Sequence, residues 1–196
     1  MPDQLTPLPG PRPGRPASRR LKRFWRDRRG VSAVEFALIA PIMLMLYFGL
    51  AEMTQAMMAQ RRVGNIASAI GDLVAQSTQL NNARRDDIFT IGNTIMAPFP
   101  TTTLRMCLAS ITSDSTGRDT VTWSENRNSH PSCPAQGAVL GASVIPVGVL
   151  PASQNVIMAK ASYSYTLPVK FFLPSTLTFG RTFYLRPRKS ESVARV

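Results

Sequence analysis

The sequence is poor in the residues from which active sites are usually assembled. It has one histidine, His130, and two cysteines, Cys107 and Cys133, among 196 residues. It contains no G-x-S-x-G motif, no phosphate-binding glycine loop and no residue cluster with metal-ligand spacing. His130 lies in the loop-like stretch NRNSHPSCP, which predicts a solvated side chain. We therefore expect no enzyme activity, no cofactor and no metal site.

Charge is scarce in the body of the chain, although the formal net charge is +12. Residues 1–29 hold nine basic and two acidic groups, and residues 181–196 hold five basic and one. The residues between these two ends carry nine basic and eight acidic groups, so they are nearly neutral. A nucleic-acid-binding module is expected to carry a basic patch on its folded surface. The charge distribution therefore argues against nucleic acid as a partner.

The first 30 residues have the composition of a disordered basic leader. Residues 1–18 are rich in proline and glycine and offer almost nothing to bury. The run RRLKRFWRDRR follows, with Phe24 and Trp25 among its arginines. Directly before an apolar segment, such a run is typical of an interfacial anchor on anionic membrane lipid.

A long apolar run follows the leader and predicts a transmembrane helix over residues 31–52. Glu35 is the only charged residue from Val31 to Ala51. These positions would span about 31 Å as a helix, which is one hydrocarbon thickness. Pro41 would remove one helical hydrogen bond, as membrane helices tolerate. Because the basic residues precede the run, we expect a cytoplasmic N-terminus, a single pass and an exported remainder.

The helical pattern continues beyond the apolar run. Apolar residues recur at helical spacing at positions Val63, Ile66, Ala67, Ile70, Leu73 and Val74. We predict one helix over roughly residues 31–78, apolar all round in its first half and amphipathic in its second. The stretch NNARRDDIFTIGNTIM predicts a second helix that stops at Pro98, so residues 53–97 are expected to be mainly helical.

Residues 101–186 have the sequence pattern of β-strands. Four β-prone segments are separated by turn-rich stretches, and they are TLRMCLASIT, RDTVTWSEN, NVIMAKASYSYTL and TLTFGRTFYLRPR. We predict an antiparallel sheet of about four strands whose inner face is covered by the amphipathic half of the long helix. The fold class is then α+β, with residues 53–196 forming an extracytoplasmic domain.

The two cysteines fall in the region that we place outside the cytoplasm. Two cysteines in an oxidising compartment favour one disulfide, between Cys107 and Cys133. Closing a loop of this size would stabilise the fold by about 3.5 kcal/mol in the chain-entropy treatment. The alternative is a pair of buried free thiols.

Glu35 is the residue that the membrane interpretation does not explain. A carboxylate in hydrocarbon costs at least a few kcal/mol and therefore suggests a function. A position near the headgroups, where the side chain reaches water, is the alternative. Gly30 followed by VSAVEFAL is similar to the processing motif of type IV pilin-like proteins. More narrowly, RRGVSAVEFALIAPIMLMLYFGLAE resembles the start of TadE-like pseudopilins from tight-adherence (Flp) pilus systems, and ASYSYTLP and FYLRPRKSESV extend the resemblance loosely.

The resemblance implies a pilin-like fold and a minor role in pilus assembly. A prepilin peptidase would cut between Gly30 and Val31 at the cytoplasmic face of the inner membrane, leaving the remaining domain in the periplasm. Glu35 would be recognised in the precursor and would then pair with the Val31 amine of a neighbouring pilin or pseudopilin subunit. The expected partners are the peptidase, other subunits, the assembly machinery and lipid. Incorporation into the pilus and a role in assembly alone both remain open alternatives. One departure from the pilin pattern is the leader of this chain, which is longer than in many pilins.

Two other interpretations remain open from the residues alone. In the first interpretation, the apolar run is a signal peptide that is cut after Ala51. Gly49 and Ala51 supply the small residues that such a site needs. Glu35 and the uninterrupted helical pattern argue against this cut. In the second interpretation, the chain is a single-pass anchored binding protein that is unrelated to pili.

Overall fold

The structure, a computed structural model, describes residues 30–141, 144–146, 148–167 and 176–196. Among the described residues, the chain divides into two compact units, with the boundary between residues 47 and 48. The predictions of a disordered leader and of an interfacial anchor concern residues 1–29 and lie outside the described residues.

The first helix, α1, spans Val31–Ala75 and contains Pro41. It ends three residues before the predicted boundary. The amide of Ser77 donates to the Val74 carbonyl, and the Ser77 hydroxyl donates to the Leu73 carbonyl at 2.9 Å. The hydroxyl thus satisfies a carbonyl that has no intrahelical partner at the helix end.

The second half of α1 has one buried face. Its buried residues recur every three or four positions, as a single stripe on a 3.6-residue helix requires. They are Ala56, Ala59, Val63, Ile66, Ala67, Ile70, Gly71, Val74 and Ala75. This confirms the amphipathic pattern predicted from the sequence.

A second helix, α2, spans Asn82–Met96 after a short strand, β1 (Gln79–Leu80). Asn81 caps its start, because the Asn81 Oδ1 atom accepts a hydrogen bond from the Arg84 amide at 2.8 Å. At its other end, Arg62 of α1 donates to the Ile95 carbonyl at 2.7 Å. This contact joins the amphipathic half of α1 to the C-terminus of α2, where a cation is favourable.

The predicted antiparallel sheet is present, and the α+β fold class is confirmed. Its long strands are β2 (Leu104–Ser113), β3 (Asp119–Arg127), β5 (Asn155–Thr166) and β6 (Thr176–Leu185). A short strand, β4 (Val139–Leu140), makes it five-stranded in the order β4-β3-β2-β5-β6. A separate parallel pair joins β1 to β7 (Ala194–Arg195). The sequence prediction missed the three two-residue strands because two residues carry no alternation.

The register of the sheet assigns each residue of β5 to one of two faces. Ile157, Ala159 and Ala161 belong to the inner apolar core, which also contains the buried stripe of α1. Val156 and Met158 belong to a second, smaller core on the outer face. Lys160 and Ser162 continue that outer face in the polar half of the strand, since alternate residues share a face.

Candidate functional site

The side chains in the first half of α1 are mostly exposed. From residue 31 to residue 55 no side chain is buried, and Phe36 is 72% exposed. An 18-residue window of this helix has a mean hydropathy of 2.0, and none of it is buried. Among the described residues, α1 is the one helix long and apolar enough to cross a membrane. An exposed apolar surface of this size is typical of a membrane segment or of an interaction site.

The residues predicted for processing lie at the start of this exposed half. Gly30 immediately precedes α1, Val31 is its first residue, and all three of Gly30, Val31 and Glu35 are exposed. Val31 and Glu35 are four residues apart on a helix and therefore share a face. The fold thus places a carboxylate on the same face as the position that would carry a new amine after a cut at Gly30.

The predicted disulfide between Cys107 and Cys133 is present. Its Cα atoms are 5.6 Å apart. Cys107 is fully buried on the outer face of β2, and Cys133 belongs to the loop that follows β3. The bond therefore fixes this loop against the outer face of the sheet.

The prediction of a solvated His130 is wrong. The side chain is 8% exposed, because the disulfide-tied loop folds back on itself. The His130 amide donates to the Asn126 Oδ1 atom at 2.7 Å, and the imidazole Nδ1 atom accepts from the Ser132 amide at 3.2 Å. Burial lowers the pKa of His130 below 6.5, and the charges of Lys160 and Arg105 lower that pKa further.

A cluster that holds the end of the chain was missed by sequence reasoning. The indole Nε1 atom of Trp123 donates to the Val193 carbonyl at 2.7 Å, in a buried position. The Arg195 Nε atom lies 2.6 Å from Glu125 Oε1, and the Arg85 guanidinium lies 3.3 Å from Glu125 Oε2. The two contacts of β3 with residues 193–195 span 70 positions of sequence, and no local pattern indicates them.

Metal-binding groups are not assembled in the described part of the chain. Within it, no three or more histidine, cysteine, aspartate or glutamate side chains lie together as a cation site would require. The exposed helix half, by contrast, is long and apolar enough to serve as a membrane anchor.

The comparison with protein families identifies the same segment. The model of the TadE-like protein family matches residues 30–72. Residues 30–72 are TadE-like. The TadE-like match begins at Gly30, includes Val31 and Glu35, and ends at Asp72 in the amphipathic half of α1. It confirms the resemblance stated from the sequence, and this family is a pilus-associated structural family. No curated protein and no solved structure matches the chain at a significant level.

Proposed function

We propose that this chain is a membrane-anchored minor pseudopilin of a tight-adherence pilus system. The TadE-like match suggests involvement in such a system. The observation that carries the finer proposal is the exposed Glu35 near the start of an otherwise apolar half-helix that continues into the core of an α+β unit. A simple lipid anchor has no need of that carboxylate.

In this proposal the first half of α1 spans the inner membrane once. The leader stays in the cytoplasm, since the positively charged flank of a spanning helix is retained there. The β-sheet and α2 then lie in the periplasm, as part of an extracytoplasmic domain over residues 53–196. The disulfide supports this compartment, because such bonds persist where the environment is oxidising.

A prepilin peptidase would remove residues 1–30 and leave an amine on Val31. Gly30 has no side chain, and among the described residues no non-neighbouring atom lies within 4 Å of the position that its Cβ atom would take. The backbone between Gly30 and Val31 is therefore open to a protease at the start of the apolar segment.

Glu35 would then pair with the Val31 amine of a neighbouring subunit. The helix half that carries both residues is exposed along its length and suits packing against other apolar helices. Burying either charge alone in hydrocarbon is costly, and a close ion pair offsets much of that cost. The pairing would fix the axial position of one subunit against the next.

The decisive measurement is the N-terminal residue of the protein recovered from membranes. We expect Val31. Glu52 would mean that the apolar run is a signal peptide, and Met1 would mean an uncut anchored protein. Either of these results would contradict processing at Gly30.

Matched leucine substitutions distinguish the two cuts further. Gly30→Leu is expected to leave the leader attached, because it places a bulky side chain at the peptidase site. Gly49→Leu is the control within the same apolar run, where an added Cβ atom also meets no atom within 4 Å. If Gly49→Leu, and not Gly30→Leu, prevented cleavage, the signal-peptide interpretation would replace ours.

Glu35→Gln tests the proposed pairing of this carboxylate during assembly. The variant should enter the membrane at least as well as the parent, since it loses a charge in the apolar run. Pilus-dependent adhesion should be lost, because removing one partner of a buried charge pair costs about 3–5 kcal/mol. Glu35→Asp keeps the charge and should retain part of the adhesion. Parent-like adhesion by both Glu35→Gln and Gly30→Leu would contradict the proposed role of this segment.

A further inference from the structure

The outer face of the sheet carries a polar depression that none of the functions above uses. It has a volume of about 310 Å³ and lies across β2, β5 and β6, beside the loop that contains His130. Its lining includes Arg105, His130, Ser132, Lys160, Ser162 and Gly180. All of them lie in the unit formed by residues 48–196.

The depression concentrates positive charge without a counter-charge. The register pairs Arg105 with Ser162 and Cys107 with Lys160, so Arg105 and Lys160 are diagonal neighbours on the outer face. The ion pairs found among the described residues involve neither of them. No aspartate or glutamate lines the depression among those residues. Burial lowers the pKa of Lys160, as expected for an ammonium that has lost water and gained no carboxylate.

The Lys160 ammonium is held in place by the loop that the disulfide fixes. Its Nζ atom donates to the Ser132 carbonyl at 3.1 Å. An ammonium has three N–H donors, and this bond uses one of them. His130 contributes a further donor, since its Nδ1 atom accepts from the Ser132 amide and the neutral ring must then carry its proton on Nε2.

A glycine keeps the middle of the depression open. Gly180 of β6 pairs with Ser162 of β5 and so belongs to the same outer face. A Cβ atom at this position would meet only the Ala161 carbonyl, at 3.9 Å. A side chain at position 180 would therefore fit the backbone and would occupy the space in front of Ser162.

We propose that this polar depression binds one oxyanion group, of the phosphate, sulfate or carboxylate class. Arg105 and Lys160 supply the charge, and the hydroxyl of Ser162 supplies a neutral donor. Charge-assisted hydrogen bonds from such groups are the ordinary means of holding an oxyanion. The site faces away from the α1-packed face of the sheet, so it is independent of the proposed pilus assembly through α1.

The single histidine of the chain provides a direct readout. An anion beside Arg105 and Lys160 offsets the charges that depress the pKa of His130, so binding must raise that pKa.

We would titrate the His130 C2–H resonance of the purified full chain in detergent. Sodium sulfate, sodium phosphate and sodium acetate would each be compared with sodium chloride at equal ionic strength. The expected result is a saturable rise of the His130 pKa toward 6.5 with at least one oxyanion. A stronger response to sulfate would indicate a tetrahedral oxyanion as the ligand, and a stronger response to acetate would indicate a carboxylate.

Three variants define the specificity of this response. Lys160→Gln should raise the pKa of His130 without any anion and should lower oxyanion affinity by about tenfold or more, as loss of one charge-assisted hydrogen bond predicts. Gly180→Leu should abolish binding by filling the depression without changing the charge. Lys189→Gln makes the same charge change at an exposed residue outside the depression and should respond like the parent. No oxyanion-specific shift in the parent, or an equal shift in Gly180→Leu, would overturn the proposal.

Discussion

At the scale of single residues, burial decides what His130 and Lys160 contribute to the molecule. Both are basic side chains with lowered pKa values, and burial is the largest cause for each. Neither is compensated by a carboxylate among the described residues that line the depression. The disulfide-tied loop maintains this arrangement, because it carries both His130 and the Ser132 carbonyl that Lys160 contacts. The loop thus sets the electrostatics of this region as well as its shape.

The lowered pKa of His130 predicts a pH-dependent stability. Its ordinary value is 6.5, and the folded value lies below that. Between the two values the unfolded chain binds more protons than the folded chain, so the free energy of unfolding falls as pH drops through this window. The stabilisation is fully present above pH 6.5 and is lost below the folded pKa. Chemical denaturation of the full chain at a series of pH values measures this effect.

His130→Gln is the control for this dependence. It removes the only histidine, and the remaining acidic side chains ordinarily titrate near pH 4. The free energy of unfolding of the variant should therefore change little with pH across the window just below pH 6.5. An equally steep fall in the variant would assign the pH dependence to another group.

At the scale of elements, the periodic segments were predictable and the irregular ones were not. The buried stripe of α1 and the four long strands follow repeating apolar patterns that any short window reveals. The β1–β7 pair, the Trp123 bond to Val193 and the Glu125 ion pairs join distant parts of the chain. His130 was misjudged for the same reason, since its burial depends on how a loop closes. The processing role of Gly30, Val31 and Glu35 is predicted from their motif rather than from geometry, and it stays a prediction.

Two glycines of α1 provide a test of how closely the helix packs on the sheet. A Cβ atom at Gly71 would lie 2.6 Å from Leu185 Cδ1 and 2.9 Å from Ala159 Cβ. At Gly64 it would meet only Arg181 Cγ, at 3.9 Å. Alanine improves helix propensity by about 1 kcal/mol at both positions. At Gly71 the overpacking cost of about 1–3 kcal/mol outweighs that gain, because the strand cannot move aside easily.

We therefore expect opposite effects from the same substitution two turns apart. Gly64→Ala should raise the midpoint of thermal unfolding of the purified full chain in detergent. Gly71→Ala should lower it, by a net destabilisation of up to about 2 kcal/mol. Circular dichroism on both variants and the parent provides the measurement. Equal stabilisation by the two variants would show that α1 is not in close contact with β5 and β6.

At the scale of the whole molecule, one helix belongs to two different environments. Its first half is apolar on all sides and exposed, whereas its second half contributes one face to the inner core. The basic leader precedes the apolar half, and the cysteines lie well after it. The positive-inside tendency of the basic residues and the preference of disulfides for oxidising compartments both support the orientation proposed above.

That orientation is testable with the full chain and two reporter positions. A reporter that is active only outside the cytoplasm should work when fused after Val196 and should be inactive when fused before Met1, because the basic residues remain in the cytoplasm. In the same cells, mass spectrometry of the non-reduced protein should find the Cys107 and Cys133 peptides linked. A reporter active only at the N-terminus, together with free thiols at both cysteines, would reverse the topology. That result would contradict a periplasmic domain with a disulfide-fixed loop. It would also contradict assembly through Glu35 in the proposed orientation.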